Sequence, residues 1–173
     1  MNILSEILNS GNGQVLRQMA NQFGLDESDA RNAIASLLPA LAAGLKKNTE
    51  GSKQGTDDLL SALIKGNHSG YVEDPDTLTR DRAVEDGNSI LGHILGSKDV
   101  SRKVAGKAST NTGIAPDVLK SMLPILATVV MGALSKQTSA GGGQGIDALT
   151  SFIDLDGDGS VADDLLDFAR KLF

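Results

Sequence analysis

The sequence DLDGDGSVADDL (residues 154–165) places carboxylates at a spacing that suits a metal ion. Calcium takes about six to eight oxygen ligands, so one short loop can supply them only if alternate side chains point inward and the backbone turns midway. Asp154, Asp156 and Asp158 stand at loop positions 1, 3 and 5, and a glycine follows at position 6. Ser160 at position 7 can offer its backbone carbonyl. This pattern is typical of the first half of an EF-hand loop.

The second half of the loop departs from that pattern. An EF-hand has Glu at position 12, whereas this chain has Leu165 there and carries Asp163 and Asp164 at positions 10 and 11. We expect a loop shortened by one residue and closed by Asp164, with Asp163 as the alternative, similar to the shortened EF-hand-like loops of bacterial proteins. The predicted ligands of one calcium ion are Asp154, Asp156, Asp158, Ser160, and Asp164 or Asp163. The competing interpretation is a solvated acidic turn that caps a helix.

Composition limits the possible classes of protein. The chain has 173 residues, of which 40% are apolar and only 3% aromatic, so Leu, Ile, Val and Ala must fill the core. Such segments favour helices, and the predicted fold class is all-α. The absence of cysteine excludes disulfides, thiolate metal sites and cysteine nucleophiles. The net charge of −6 is concentrated at residues 154–173, which hold six acids and two bases, and no basic face for phosphates is evident.

The sequence shows no export signal and no obvious membrane segment. No cationic stretch followed by an apolar run stands at the N-terminus, which argues against a signal peptide. The longest apolar stretch, residues 122–134, is shorter than the roughly 20 residues that cross a bilayer, so it indicates a buried core helix. We therefore expect a cytoplasmic protein without a membrane span.

Four sequence blocks occur twice in the same order, which indicates a tandem duplication. The members of each pair share apolar residues at helical spacing. The pairs are VLRQMA (15–20) with VSRKVA (100–105), IASLLPALA (34–42) with LKSMLPILA (119–127), ILSEIL (3–8) with ILGHIL (90–95), and TDDLLSALI (56–64) with GIDALTSFI (145–153). The alternative explanation is chance similarity between simple helices rich in Leu and Ala.

Each copy predicts four helices, of which the third is long and buried. In the first copy, the second helix should stop at Gly24, in the position of a left-handed cap. Pro39 in the long helix is matched by Pro124 in the second copy. We expect the two long helices to pack together about a pseudo-two-fold axis, with Gly44 and Gly132 allowing close approach.

The duplication defines the predicted units of the chain, and it allows the calcium loop to be compared with its counterpart in the first copy. The predicted units are a first helical repeat at 1–75, an irregular connector at 76–88, a second helical repeat at 89–138, a Gly-rich joint at 139–145, and an EF-hand-like calcium unit at 146–173. The segment of the first copy that matches the loop is KGNHSGYVED (65–74). Lys65, Asn67 and Ser69 replace the three alternating aspartates, so this half should hold no calcium.

The histidines and a possible helix-turn-helix give weaker indications of function than the acidic loop. His68 and His93 are the only histidines, and no Ser-His-Asp arrangement, carboxylate pair or phosphate loop is recognisable, so an enzyme is not expected. MANQFGLDESDARNAI (19–34) has the helix, glycine turn and second helix of a helix-turn-helix DNA reader. Its second helix begins with Asp26 and Glu27 in place of bases, so a DNA-associated regulator is kept only as the alternative function.

Several stretches together resemble one bacterial family. They are GNSILGHILG (87–96), LPALAAGL (38–45), MLPILATVVMGAL (122–134) and DGDGSVADDLLDFARKLF (156–173). They resemble the family known as domain of unknown function 937 and, more loosely, the all-helical YidB-like proteins. The resemblance implies an all-α fold and a bacterial, cytoplasmic protein, but it implies no activity, substrate or catalytic residue.

The sequence thus predicts an all-α, multi-helical bundle of two tandem similar halves with pseudo-two-fold packing. A C-terminal EF-hand-like helix-loop-helix follows the bundle. The expected function is that of a non-enzymatic, calcium-binding scaffold or interaction protein. Its partner would be another protein or a second copy of the chain, and no nucleic acid is expected.

Overall fold

The structure, a computed structural model, describes residues 3–51, 61 and 68–140. Within these residues the chain is helical and contains no β-strand, which confirms the predicted all-α class. The α-helices are α1 (Ile3–Asn9), α2 (Gln14–Phe23), α3 (Glu27–Gly51), α4 (Gly70–Glu73), α5 (Asp81–Ile94), α6 (Lys98–Thr112) and α7 (Pro116–Ala140). Short 3-10 segments lie at Ser10–Gly13 and Pro75–Thr79.

The ends of the helices follow local side-chain chemistry. Asp26 caps α3, since its Oδ1 accepts a hydrogen bond from the backbone N–H of Asp29 at 2.7 Å. Ser97 caps α6 by accepting from the N–H of Val100. Gly24 ends α2 in the left-handed conformation, as the sequence predicted, and Gly113 ends α6 in the same way.

Helix α7 lies at the centre of the bundle. It contacts each of the other α-helices named above, and its most extensive contacts are with α5 and α6. The segment Pro116–Lys136 is long and apolar enough to cross a membrane by length and composition, with a mean hydropathy of 1.8. However, 83% of its most apolar window is buried inside the bundle, as in the core helix of a globular domain.

The crossing of α5 over α7 brings two backbones into contact. A Cβ atom built on Gly87 of α5 would lie 2.5 Å from the carbonyl carbon of Pro124 in α7, so only glycine fits at this point. Nearby, the buried Thr128 donates its hydroxyl to the backbone carbonyl of Ala83 at 2.9 Å. One close approach and one cross-helix hydrogen bond therefore fix how α5 lies on the central helix.

The close approaches at Gly44 and Gly132 join different elements from those we expected. The two long helices, α3 and α7, do contact each other, but α3 makes its most extensive contacts with α6. Gly44 faces the end of α5, where a Cβ would lie 2.7 Å from the carbonyl oxygen of Ile94. Gly132 faces the turn before α4, where a Cβ would lie 2.6 Å from the carbonyl oxygen of His68.

The prediction of an irregular connector at 76–88 is wrong. Residues Pro75–Thr79 form a 3-10 segment, and α5 begins at Asp81. The polar residues that suggested a loop are the exposed face of an amphipathic helix, whose buried positions recur every three or four residues. Those buried positions are Ala83, Gly87, Ile90, Leu91 and Ile94. At the other predicted boundary, α7 continues to Ala140, two residues into the predicted joint.

A cleft at the junction of α4 and α5

The predicted calcium site lies outside the described residues. This applies to all its predicted ligands, Asp154, Asp156, Asp158, Ser160, Asp163 and Asp164. The matching segment of the first copy is described from His68 onward, where a turn leads into the short helix α4. In the parts of the chain that the structure describes, no group of three or more His, Asp or Glu side chains is placed to hold a metal ion.

A cleft of about 350 Å³ opens where α4, the second 3-10 segment and the start of α5 meet. Seven residues line it, and four of them are charged. The lining residues are Gly70, Tyr71, Asp74, Thr77, Arg80, Arg82 and Asp86. This concentration of charged groups of both signs makes the cleft the leading candidate site within the described residues.

Tyr71 and Asp86 form the fixed part of the cleft. The Tyr71 hydroxyl donates a hydrogen bond to Oδ2 of Asp86 at 2.7 Å, joining α4 to α5. Burial and, to a lesser degree, this hydrogen bond raise the pKa of Tyr71 to about 12. The phenol therefore stays protonated at neutral pH and acts as the donor, which makes Asp86 the acceptor.

His68 supports Tyr71 from the protein interior. Its ring stacks on the Tyr71 ring, with centroids 6.3 Å apart and planes inclined by 22°. The residue is 8% exposed, and its Nδ1 atom has no hydrogen-bond partner among the described residues. Burial lowers the pKa of His68 from its ordinary value, while the nearby Asp86 carboxylate opposes that change. His68 is thus held as a neutral, structural imidazole under the cleft's tyrosine.

The arginines of the cleft are held less firmly. Nε of Arg82 lies 3.9 Å from Oδ2 of Asp86, which is longer than a hydrogen bond, and the Arg82 side chain is 85% exposed. Arg80 precedes α5 and makes no side-chain hydrogen bond that caps the helix. The 3-10 segment before Arg80 is held by Thr77, whose hydroxyl donates a hydrogen bond to the backbone carbonyl of Asp74 at 2.6 Å. Both arginines are exposed and line the cleft, so their guanidinium groups can reach an anion that enters it.

The sequence does not predict this cleft. Its residues fall on both sides of the predicted boundary between the first helical repeat (1–75) and the irregular connector (76–88), so no common face is predicted for their side chains. A usable signal was present, because the chain's single tyrosine falls in the same polar segment as an Arg-Asp-Arg triplet at 80–82. The other histidine, His93, lies exposed in the last turn of α5, where a cation suits the helix dipole.

A second concave surface also includes a residue of α5, Val84. It has a volume of about 380 Å³ and is lined by apolar and polar side chains from α2, α5 and α7. Phe23, Val84 and Ile125 supply its apolar part. Val84, at 36% exposure, is the one large exposed hydrophobic residue among the described residues.

The helix-turn-helix prediction holds for the local geometry. Helices α2 and α3 are joined by a turn at Gly24, and the first turn of α3 carries Glu27 and Asp29. Beyond that turn, α3 becomes part of the core, since Ile34 and Leu37 are both fully buried. The first turn of α3 is therefore acidic, although the exposed Arg31 and Asn32 follow it, and the inner face of the helix is apolar and buried.

Comparisons with known proteins found a family but no characterised relative. A family model described as "Bacterial protein of unknown function (DUF937)" matches residues 6–137, which is more than half of the chain. No curated protein and no solved structure matches the chain. The matched region contains all of the cleft and stops before the predicted calcium loop.

Proposed function

The chain belongs to the bacterial family of unknown function DUF937, and we propose that it joins this family's helical domain to a C-terminal calcium unit. In this proposal it acts as a non-enzymatic, calcium-binding scaffold or interaction protein in the cytoplasm. The observation that carries the proposal is the spacing of Asp154, Asp156 and Asp158 before a glycine at the turn position of an EF-hand-like loop. The partner is a second protein or another copy of the chain.

The position of the loop supports a role in controlling the rest of the chain. The family match ends at residue 137, and α7 ends at Ala140, only a few residues before the proposed unit at 146–173. Helix α7 contacts the other α-helices of the described bundle. In this proposal, calcium binding at 154–164 changes the conformation of the segment that directly follows this central helix. Without calcium, the four aspartates of the preferred ligand set, Asp154, Asp156, Asp158 and Asp164, repel one another at short range.

The described helices also support an origin by duplication. In both parts of the chain, a helix ends at a left-handed glycine and is followed by a long helix with an internal proline. Matched positions of the two long helices share the same burial. The fully or almost fully buried pairs are Ile34 with Leu119, Leu37 with Met122, Leu38 with Leu123, and Leu41 with Leu126. We propose that the two halves are related in this way and pack about a pseudo-two-fold axis.

The alternative, a DNA-associated regulator, has less support. In α3 the Asp26 carboxylate is used as a helix cap, and the next acids would face phosphates unfavourably. The inner face of that helix packs against the core, which leaves few basic residues, such as Arg31, on its exposed face. We therefore retain calcium binding as the proposed function.

Calorimetry on the full chain tests the calcium proposal. The wild-type chain should bind one calcium ion, and Asp156→Ala should abolish or greatly weaken binding, because it removes a ligand from position 3 of the loop. Asp76→Ala is the matched control, since Asp76 is an exposed aspartate of the described domain and its loss should leave binding unchanged. Unchanged affinity in Asp156→Ala, or two equivalent sites in the wild type, would contradict the proposal.

Hydrogen exchange with and without a chelator tests the proposed control of the C-terminal unit. Removing calcium should reduce protection of amides at 163–172 and leave the α7 amides at 117–134 protected, because a ligand stabilises the unit that binds it. Retained protection at 163–172 would show that calcium does not order this unit. Loss of protection at 117–134 would show that calcium supports the whole fold and not a separable unit.

A further inference from the structure

The cleft between α4 and α5 brings one anchored carboxylate and two exposed guanidinium groups to one small space. The fixed group is the Asp86 carboxylate, which accepts from the Tyr71 hydroxyl through Oδ2 and keeps the lone pairs of its other oxygen. Its side chain is 32% exposed, so it can accept a further donor that enters the cleft. A carboxylate with free acceptor sites beside an aromatic ring favours an ammonium group.

The two guanidinium groups are the exposed charges of the cleft. Arg82 is only loosely associated with Asp86, at 3.9 Å, and Arg80 has no carboxylate within 4 Å among the residues that the structure describes. A guanidinium presents parallel N–H donors that match the two oxygens of a carboxylate. The same cleft therefore offers acceptors for an ammonium group and donors for a carboxylate.

The surrounding charge shows why an anion alone would bind poorly. Residues 70–86 hold six acids and two bases, so the field around the cleft is negative despite the two arginines. A simple anion would be repelled by this field, while an ammonium group would be attracted. The volume of the cleft limits the size of the ligand. At about 350 Å³ it is at the lower end of the ~300–1,000 Å³ range of ligand pockets, which suits a small molecule.

We propose that this cleft binds a small zwitterion of the amino-acid class, with its ammonium group at Asp86 and its carboxylate at Arg80 and Arg82. This site is independent of the calcium proposal, since its residues lie within the family domain and far in sequence from 154–164. Tyr71 positions Asp86 by its hydrogen bond, and His68 holds the Tyr71 ring from below.

The chain supplies its own probe for this site. Tyr71 is the only tyrosine and there is no tryptophan, so ultraviolet-excited emission reports on the cleft alone. A hydrogen bond to a carboxylate quenches tyrosine emission, and an ammonium group that competes for Asp86 should change that emission. Titration of the full chain with each protein amino acid other than tyrosine and tryptophan, which emit themselves, should identify one or a few that alter emission with a Kd below about 1 mM. Backbone amide shifts of residues 70–86 test the remaining two.

Analogues and variants then separate the two halves of the ligand. The amine-only and carboxylate-only analogues of the tightest amino acid should each bind at least about tenfold more weakly, because each loses one ionic contact. The double variant Arg80→Gln, Arg82→Gln should weaken binding of the zwitterion by about tenfold. It should not weaken binding of the amine-only analogue, because the loss of two positive charges near Asp86 favours an ammonium group. Arg102→Gln is the matched control, since Arg102 is also exposed and paired with an aspartate, Asp99, but on α6.

The outcomes decide the proposal directly. If no amino acid up to about 10 mM changes the emission or the backbone amide shifts of residues 70–86, the cleft is not a zwitterion site. If the amine-only analogue binds as tightly as the amino acid, the arginines hold no carboxylate and the proposal is wrong. If Arg102→Gln weakens binding as much as the cleft variant, the effect is not local and the assignment to the cleft fails.

Discussion

Substituting Ala for Gly87 tests the backbone contact at the centre of the bundle. A Cβ at this position would lie 2.5 Å from the carbonyl carbon and 2.8 Å from the Cα of Pro124. These are backbone atoms of α7, so no side-chain rotation relieves the overlap. To restore ordinary contact, α5 and α7 must separate by roughly 1 Å, and a gap of that size loses about a quarter to a half of the dispersion energy between facing atoms.

The energetic cost follows from the contacts at the crossing. Overpacking of this kind costs about 1–3 kcal/mol, and separation also weakens the hydrogen bond from Thr128 to the carbonyl of Ala83, worth about 0.5–1.5 kcal/mol. The higher helix propensity of alanine relative to glycine offsets about 0.5–1 kcal/mol of this loss of stability. We expect Gly87→Ala to lower the free energy of unfolding by about 1–3 kcal/mol.

The matched control lies five residues further along the same helix. Gly92 is exposed, and a Cβ built there meets no atom within 4 Å. Gly92→Ala should therefore raise the free energy of unfolding by about 0.5–1 kcal/mol. Urea unfolding of both variants, followed by far-ultraviolet circular dichroism, measures the difference. If Gly87→Ala proves as stable as Gly92→Ala, the two helices do not cross backbone to backbone and the packing described for α5 is wrong.

Three further predictions concern ionisable and capping groups. Asp86→Asn should lower the pKa of Tyr71 from about 12 but leave it above 10, because burial, the largest cause of the shift, remains. The phenolate absorbance of the single tyrosine measures this pKa, and an unchanged value would mean that the hydrogen bond is absent. The lowered pKa of His68 means that the unfolded chain binds its proton first, so stability should fall as pH drops below about 6.5. His68→Gln should flatten that fall between about pH 7 and 5.5 in urea titrations, and an equal slope would contradict a buried neutral imidazole. Asp26→Ala should cost about 1 kcal/mol through loss of the α3 cap, whereas Asp76→Ala should cost less than about 0.5 kcal/mol; equal costs in thermal unfolding would show that the cap does not act.

The features that sequence predicted well are those set by short-range chemistry. Gly24 ends a helix because a left-handed residue is favoured there, and Asp26 begins the next because its carboxylate reaches the N–H of Asp29. The apolar run at 122–134 predicted a buried helix, and all of its residues in α7 are buried. Each of these features depends on residues within one or two helical turns.

The features that sequence missed depend on distant partners. Gly44 and Gly132 were recognised as sites of close approach, but their partners, Ile94 and His68, are fixed by how whole helices cross. The cleft likewise exists because Tyr71 and Asp86, 15 positions apart, meet across a turn whose 3-10 conformation has no strong sequence signature. Long-range geometry of this kind cannot be read from periodicity alone.

The place of α7 in the chain has a consequence for how the protein is made. The helix that contacts all the other described α-helices is also the last of them to leave the ribosome. After Gly51, the last described residue of α3, 89 further residues are added up to Ala140. At about 5–20 residues per second, that interval is roughly 4–18 s, during which the apolar face of α3 lacks its final cover. Synthesis therefore passes through a stage in which the first half is helical but cannot yet close its core, and this stage is the one at which a chaperone or a second nascent chain would meet exposed leucines.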